Sequence, residues 1–261
     1  SVYDGNQHLA DASVTGSNVV RDWYNSLTLG SISQQPAQTI VGSNTQYAEA
    51  RNSITGCVSA SRESVTSEVT KATLTLTAVD KQKIYNKAVY SGGYSMTSVG
   101  FAINESFGNL SGTATYSGTS QAAINIGTYS IIPSGYSSSN YNINYVNGTL
   151  TINKKDIGVQ NTSVLSKVYD ATTSATLTGS TFLTAINAGT GTSTDLKPYT
   201  GDVIFLTTSA SFQDENVGNS KPVNATYSFS SSSTDAGNYN LIQPTGLTGQ
   251  ITPKTIDEVN A

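Results

Sequence analysis

The sequence has few of the side chains on which enzymes and metal sites depend. Among 261 residues there is one cysteine, Cys57, and one histidine, His8. A single cysteine excludes a disulfide within the chain, and with a single histidine it excludes a zinc site of ordinary composition within one domain. We expect a solvated surface position for His8 and an incidental thiol at Cys57. No cofactor is expected.

Charge is scarce as well. Charged residues make up 11% of the chain, and the formal net charge is −4. Because no basic stripe is present to neutralise phosphates, nucleic acid is not an expected partner. No apolar run approaches the roughly 18 residues that a membrane span needs, so membrane insertion is not expected. The carboxylates are too dispersed to resemble a calcium-binding loop.

Tyrosine, in contrast, is abundant, with 15 copies, and one tyrosine motif recurs at a regular interval. This motif, called the tyrosine box below, reads Val2-Tyr3-Asp4, Ile84-Tyr85-Asn86 and Val168-Tyr169-Asp170. Each box follows its predecessor by just over 80 residues. Closing segments of similar sequence occur at residues 71–77, 147–154 and 249–254.

The period predicts three tandem domains, at residues 1–78, 79–155 and 156–261, since units of this length can fold on their own. Their junctions are short, so we expect an elongated rod in which each domain contacts neighbouring repeats of the same chain. The second box replaces Asp with Asn86, which argues against an active site. We expect each box tyrosine to pack in a core while Asp or Asn turns the backbone. Because the chain opens on a box without a signal-peptide pattern, we expect a segment of a longer protein.

Local patterns favour a mainly β fold. Ala72, Leu74 and Leu76 alternate with threonines, which is typical of a half-buried strand, here closing the first domain. Asn147-Gly148 lies between two alternating runs and predicts a type I′ hairpin, with Tyr145 opposite Leu150. Residues 202–206 form a short apolar run that predicts a covered central strand.

Helix is predicted only over residues 18–27 and 180–188, where apolar side chains recur at roughly helical spacing. With at most one short helix in each domain, the element order favours a β-grasp-like fold. If these segments are loops, Ig-like β-sandwiches fit better.

Several spaced motifs resemble the YDG-type and MBG-type tandem repeats of large secreted bacterial adhesins of the filamentous haemagglutinin-like, two-partner-secretion group. The third domain resembles the YDG type through Lys167-Val168-Tyr169-Asp170, Asp235-Ala236-Gly237-Asn238-Tyr239 and Ile251-Thr252-Pro253-Lys254. The second resembles the MBG type through Ser139-Asn140-Tyr141 and Gly148-Thr149-Leu150-Thr151-Ile152. The first keeps its box and a closing strand. The resemblance implies an extracellular location on the bacterial cell surface.

The leading functional hypothesis is a non-enzymatic stalk of such an adhesin, which projects or contributes to the binding of host or biofilm-matrix glycans or proteins. The alternative is a glycan-binding module. Trp23, Tyr24 and Tyr136 lie outside the repeated boxes and are the candidates for an exposed stacking platform. No catalytic residue and no metal ligand is predicted.

Overall fold

A computed structural model describes residues 1–255. The chain separates into two compact units that are not continuous in sequence. Unit 1 contains Ser1–Val79, Tyr94–Ser117 and Ile132–Gly148, and unit 2 contains Asp80–Gly93, Gly118–Ile131 and the chain from Thr149 onward. The middle third of the sequence is thus divided between the two units. The three domains with boundaries after residues 78 and 155 stay a prediction.

Strands account for 47% of the chain and helical turns for 4%, so the predicted mainly β class is confirmed. In chain order the strands are β1 (His8–Leu9), β2 (Val19–Tyr24), β3 (Ala37–Gln38), β4 (Gly42–Asn52), β5 (Glu63–Val69), β6 (Ala72–Ala78), β7 (Lys81–Ile84), β8 (Met96–Val99), β9 (Ser111–Ser117), β10 (Gly127–Ser137), β11 (Tyr141–Val146), β12 (Gly148–Asn153), β13 (Lys155–Ile157), β14 (Val159–Gln160), β15 (Ser163–Val164), β16 (Lys167–Val168), β17 (Leu177–Thr178), β18 (Thr181–Phe182), β19 (Leu206–Phe212), β20 (Gly218–Phe229), β21 (Tyr239–Leu241) and β22 (Thr248–Thr252). Three 3-10 helices lie at Phe107–Asn109, Thr119–Ala122 and Ala236–Asn238, and residues 1–255 contain no α-helix.

The two predicted short helices are therefore wrong. Residues 18–27 hold β2, which pairs antiparallel with β4. Adjacent β-branched Val19 and Val20 lose rotamer freedom in a helix and favour an extended chain, and aromatic side chains reinforce that preference. Residues 180–188 hold the two-residue strand β18, paired with β14, and a loop.

Unit 1 has a core built around β6. The strand buries Ala72, Leu74, Leu76 and Ala78 and turns its threonines to the other face, as the alternation predicts. It lies between β11 and β8 in a three-stranded sheet, while β2, β4 and β5 form another and β1 pairs with β3. Residues 132–137 of β10 pair with β9. Side chains that complete the core cluster are Tyr3, Val69, Leu110 and Tyr141.

Unit 2 has a four-stranded arrangement in which β22 lies between β16 and β20, and β20 pairs with β19. Phe212, Val223 and Ile251 form its buried cluster. In a second sheet, β12 lies between β7 and β10. The expected central strand at residues 202–206 is wrong, since β19 begins only at Leu206 and Val203 and Phe205 are 42% and 53% exposed.

The predicted hairpin at Asn147-Gly148 is also wrong. A type I′ turn needs positive φ at both central residues, and neither residue has it. Strand β11 instead pairs in parallel with β6, and β12 pairs in parallel with β7. The chain thus leaves one sheet and enters another at this point.

Four parallel ladders share a simple register. Tyr141 lies opposite Ala72 in the β6–β11 ladder, and Leu150 lies opposite Lys81 in the β7–β12 ladder, so partners are 69 residues apart in both. In the β13–β21 and β16–β22 ladders, partners are 84 residues apart. Parallel pairing of this kind departs from the Ig-like alternative, whose sheets are antiparallel.

Candidate functional site

The three tyrosine boxes have the same backbone geometry. The box tyrosine donates its N–H to a carbonyl of a later segment: Tyr3 to Thr70 (2.9 Å), Tyr85 to Asn153 (2.8 Å) and Tyr169 to Thr252 (2.9 Å). The next side chain accepts the N–H two residues on, from Asn6 to Asp4, from Ala88 to Asn86 and from Thr172 to Asp170. Positive φ then occurs at Gly5, Lys87 and Ala171. The predicted turn by Asp or Asn is confirmed in all three boxes.

In unit 1, the first box tyrosine joins a second tyrosine on one carboxylate. Tyr3 and Tyr141 meet edge to face, with ring centroids 5.3 Å apart. Their hydroxyls donate to the two carboxylate oxygens of Glu105, Tyr3 to Oε1 and Tyr141 to Oε2. We call this arrangement of two tyrosines on one carboxylate a tyrosine–carboxylate cluster.

Unit 2 contains the same cluster, built from different parts of the sequence. Tyr85 and Tyr239 meet edge to face at 5.4 Å, and both hydroxyls donate to Oδ2 of Asp202, that of Tyr85 at 2.9 Å. The Asp202 side chain is only 2% exposed, and its other oxygen lies 2.7 Å from Nζ of Lys87. The lysine ammonium thus balances the buried negative charge.

Each carboxylate is held by the same four-residue turn. In unit 1 the N–H of Ala102 donates to the hydroxyl of Tyr141 at 2.8 Å, and Glu105 follows three residues later. In unit 2 the N–H of Tyr199 donates to the hydroxyl of Tyr239 at 2.9 Å, and Asp202 follows three residues later. The fourth N–H of each turn donates back to the first carbonyl. The second tyrosine of each cluster therefore both accepts and donates a hydrogen bond.

The clusters hold their tyrosines in the neutral form. Burial, followed by the hydrogen bond to Asp202, raises the pKa of Tyr85 and of Tyr239 well above the ordinary value. Burial and Glu105 raise the pKa of Tyr141 to about 12. The hydroxyls therefore stay protonated at neutral pH and can donate hydrogen bonds to the carboxylates.

Sequence reasoning predicted the tyrosines but missed Glu105 and Asp202. Glu105 lies in no repeated motif, and Asp202 lies at the start of the segment expected to be a strand. The two turns share only a carboxylate at the fourth position, as their sequences Ala102-Ile103-Asn104-Glu105 and Tyr199-Thr200-Gly201-Asp202 show. That signal is too weak to find without the structure.

The third box tyrosine differs from the other two. Tyr3 and Tyr85 are 7% and 2% exposed, so their predicted burial is confirmed, but Tyr169 is 37% exposed. The prediction of a buried tyrosine in every box is therefore wrong for Tyr169. Its backbone is placed as in the other boxes, yet no tyrosine–carboxylate cluster forms around its ring in the described residues.

A buried ion pair lies close to the unit 2 cluster. The side chain of Lys155, the first residue of β13, is 0% exposed, and its ammonium lies 2.6 Å from Oδ1 of Asp195 and 2.6 Å from the carbonyl of Thr192. Burial would raise the pKa of Asp195, but hydrogen bonds from Lys155 and two backbone N–H groups lower it to about 2. Both charges are thus satisfied inside the protein.

The predicted stacking residues do not form one platform. Trp23 and Tyr24 are both half-buried neighbours on β2, so their side chains leave the strand on opposite faces. The guanidinium of Arg62 lies over the ring of Tyr24, 3.3 Å from its centroid, and occupies that face. Tyr136 packs against Phe107 beside the unit 1 core. Ligand binding by these three residues stays a prediction.

A surface cleft of about 540 Å³ lies close to Tyr24. Arg62 and Glu49 form its polar wall, 3.4 Å apart, and the strongly exposed Leu27 and Leu29 form its apolar rim. The residues that line this cleft include none of the three predicted stacking residues.

The single histidine and the single cysteine lie at the surface or close to it. His8 lies 2.9 Å from Asp4 in the first box, and Cys57 is exposed. Within residues 1–255, no three His, Cys, Asp or Glu side chains are close enough together to hold a metal ion. None of the helices in that part of the chain is long and apolar enough to cross a membrane.

Two family models match the chain. Residues 74–151 match the MBG domain of the YGX type, and residues 153–246 match the YDG domain. The first match begins inside β6, and the second begins at the end of β12. No curated protein sequence matches the chain.

Proposed function

From the premise that the chain carries an MBG domain followed by a YDG domain, we propose that it is a non-enzymatic structural segment of a bacterial surface adhesin. In this role it transmits tension along the chain and holds a binding region away from the cell. The proposed location is extracellular. Host-surface or biofilm-matrix glycans or proteins are the proposed ligands of the adhesin.

The observation that carries the proposal is the parallel pairing of opening and closing strands. In the YDG-matched region, β13 and β16 near its beginning pair in parallel with β21 near its end and with β22 just beyond its end. When two parallel neighbours are pulled from opposite ends of the sequence, the strands slide along each other. All the hydrogen bonds of the ladder then carry load together, since they are evenly spaced along it. This arrangement resists tension.

Single-molecule force spectroscopy tests this role. Handles at the two chain ends load the parallel ladders in shear. A matched control attaches handles through Thr207→Cys and Ser228→Cys, with Cys57→Ser removing the native thiol. Thr207 and Ser228 are exposed partners in the β19–β20 ladder, so pulling there separates the pairs one at a time.

We expect the end-to-end pull to unfold the YDG-matched region at a severalfold higher force than the control pull. If both geometries give the same force, the chain has no mechanical role of the kind proposed.

Glycan binding is the alternative, with Trp23 as the side chain to test because its ring is half-exposed on β2. A glycan array of the chain and of Trp23→Ala separates the two functions. Binding that disappears in Trp23→Ala supports a glycan-binding module, whereas an array without binding supports the structural role.

A further inference from the structure

We propose that Tyr169 and residues 253–255, which follow β22, form a docking surface for a further repeat of the same kind, which supplies a tyrosine and a carboxylate. The inference deepens the proposed function, since it rests on the chain being part of a repeat array and names the partner of one surface.

The two tyrosine–carboxylate clusters have the same composition. Each one combines a box tyrosine with a tyrosine from a distant later segment: Tyr3 with Tyr141, and Tyr85 with Tyr239. The carboxylate, Glu105 or Asp202, also comes from beyond the closing segment of the box. A box tyrosine is therefore buried not by its own closing segment alone but also by side chains that lie beyond that segment in the sequence.

A second contact accompanies each cluster. Two residues after the carbonyl that accepts the box N–H, the chain begins a strand that pairs with the later tyrosine. Ala72, two residues after Thr70, lies opposite Tyr141, and Lys155, two residues after Asn153, lies opposite Tyr239. Both Ala72 and Lys155 are buried.

At the third box, neither the tyrosine–carboxylate cluster nor the strand pairing forms within residues 1–255. The N–H of Tyr169 donates to the carbonyl of Thr252 as in the other boxes, yet the residue is 37% exposed. Lys254 stands two residues after Thr252, in the position of Ala72 and Lys155, and it is exposed and outside any strand. The partner that fits is a strand starting with Tyr-Asn and an aliphatic residue, as in Tyr141-Asn142-Ile143 and Tyr239-Asn240-Leu241, with an Asp or Glu from the same repeat.

The test extends the chain by a known partner. Residues 1–252 are followed by a second copy of residues 154–252, so that the Tyr239 and Asp202 of the added copy can reach the first Tyr169. Tyrosines are nitrated with tetranitromethane and quantified by mass spectrometry. A Thr172→Ser substitution in the added copy distinguishes its peptide from that of the first copy.

We expect nitration of the first Tyr169 to become about tenfold slower or more than in the 261-residue chain, because reaction then needs local opening. The Tyr169 of the added copy has no further repeat and stays reactive, which provides the internal control. Substituting Tyr239→Ala and Asp202→Ala in the added copy should restore the reactivity of the first Tyr169.

Unchanged nitration of the first Tyr169, with amide-exchange protection present in the added copy, overturns the proposal. A second extended chain carries residues 71–153 instead, which supply Tyr141 and Glu105. It provides an independent test if the first extended chain misfolds. If neither added segment gains protection, the proposal also fails, since docking should support the added repeat. The force measurement is independent of these results, so failure here leaves the mechanical role to its own test.

Discussion

At the scale of single residues, carboxylates and one lysine determine which polar groups the protein buries. Glu105 and Asp202 each bring two tyrosine hydroxyls together, and Lys155 is buried against Asp195. A buried charge is tolerated only when it is paired and hydrogen-bonded. Asp202, paired with Lys87, and Lys155, paired with Asp195, meet that condition, so we expect their removal to have larger effects than substitution of the exposed polar surface.

The Lys155–Asp195 pair predicts a specific loss of stability in acid. The pKa of Asp195 is about 2 in the folded protein, below its ordinary value of 3.8. A lowered pKa contributes stability that is present above the unfolded value and lost as pH falls toward the folded one. Between about pH 4 and pH 2, wild type should lose roughly 1 to 2 kcal/mol of unfolding free energy that Asp195→Asn does not lose.

Urea unfolding of both proteins across this pH range measures the difference. The matched variant is Lys155→Met, which replaces the buried ammonium by an apolar chain of similar length. At neutral pH, Asp195→Asn should cost more stability than Lys155→Met, because it leaves a buried charge without its partner. Equal acid sensitivity of wild type and Asp195→Asn would contradict the prediction.

Some of these residue roles could be predicted from the sequence. The recurrence of the boxes correctly indicated buried Tyr3 and Tyr85 and the turns made by Asp4, Asn86 and Asp170. These features are local, since a turn needs only the residues within it. Burial of a box ring depends instead on a segment far along the chain. For this reason the sequence could not separate Tyr169 from the other two tyrosines.

At the scale of elements, local patterns identified strands more reliably than their partners. The alternation in β6 was interpreted correctly, but the strand pairs with β11 rather than only closing the first domain. Likewise, Asn147-Gly148 has the composition of a tight hairpin turn, whereas long-range parallel pairing on both sides prevents it. The energy of two ladders and a core outweighs the preference of one dipeptide for a turn.

Gly148 lies where the chain leaves one sheet and enters another, and we expect this position not to tolerate a side chain. A Cβ at this position would lie 2.5 Å from the carbonyl oxygen of Ala78, which belongs to the backbone and cannot easily move. We expect Gly148→Ala to destabilise the protein by about 1 to 3 kcal/mol, as overpacking does. Gly237→Ala is the control, because a Cβ there meets nothing within 4 Å and the residue has no positive φ.

Chemical denaturation of the two alanine variants measures this contrast. Gly237→Ala should unfold close to wild type. A Gly148→Ala protein that unfolds at the same denaturant concentration as Gly237→Ala would show that the ladders on either side of residue 148 can shift apart without cost.

At the scale of the whole molecule, each unit contains a tyrosine–carboxylate cluster, so both units share a sensitivity to alkali. Tyr141 in unit 1 has a pKa raised to about 12, and the pKa values of Tyr85 and Tyr239 in unit 2 are raised as well. A raised pKa contributes stability that is complete below the unfolded value, near 10, and that disappears as pH rises toward the folded value. The protein should therefore lose unfolding free energy steadily above about pH 10.

Tyrosinate absorbance and circular dichroism, followed together from neutral pH upward, test this expectation. Exposed tyrosines should ionise near pH 10, whereas those in the clusters should ionise only as the β signal is lost. In the double variant Tyr85→Phe and Tyr239→Phe, unfolding free energy should depend less steeply on pH in this range, even though Asp202 loses both hydroxyl donors and stability falls at neutral pH. If all 15 tyrosines ionise in a single step near pH 10 while the strands remain intact, the clusters do not hold their hydroxyls as the structure shows.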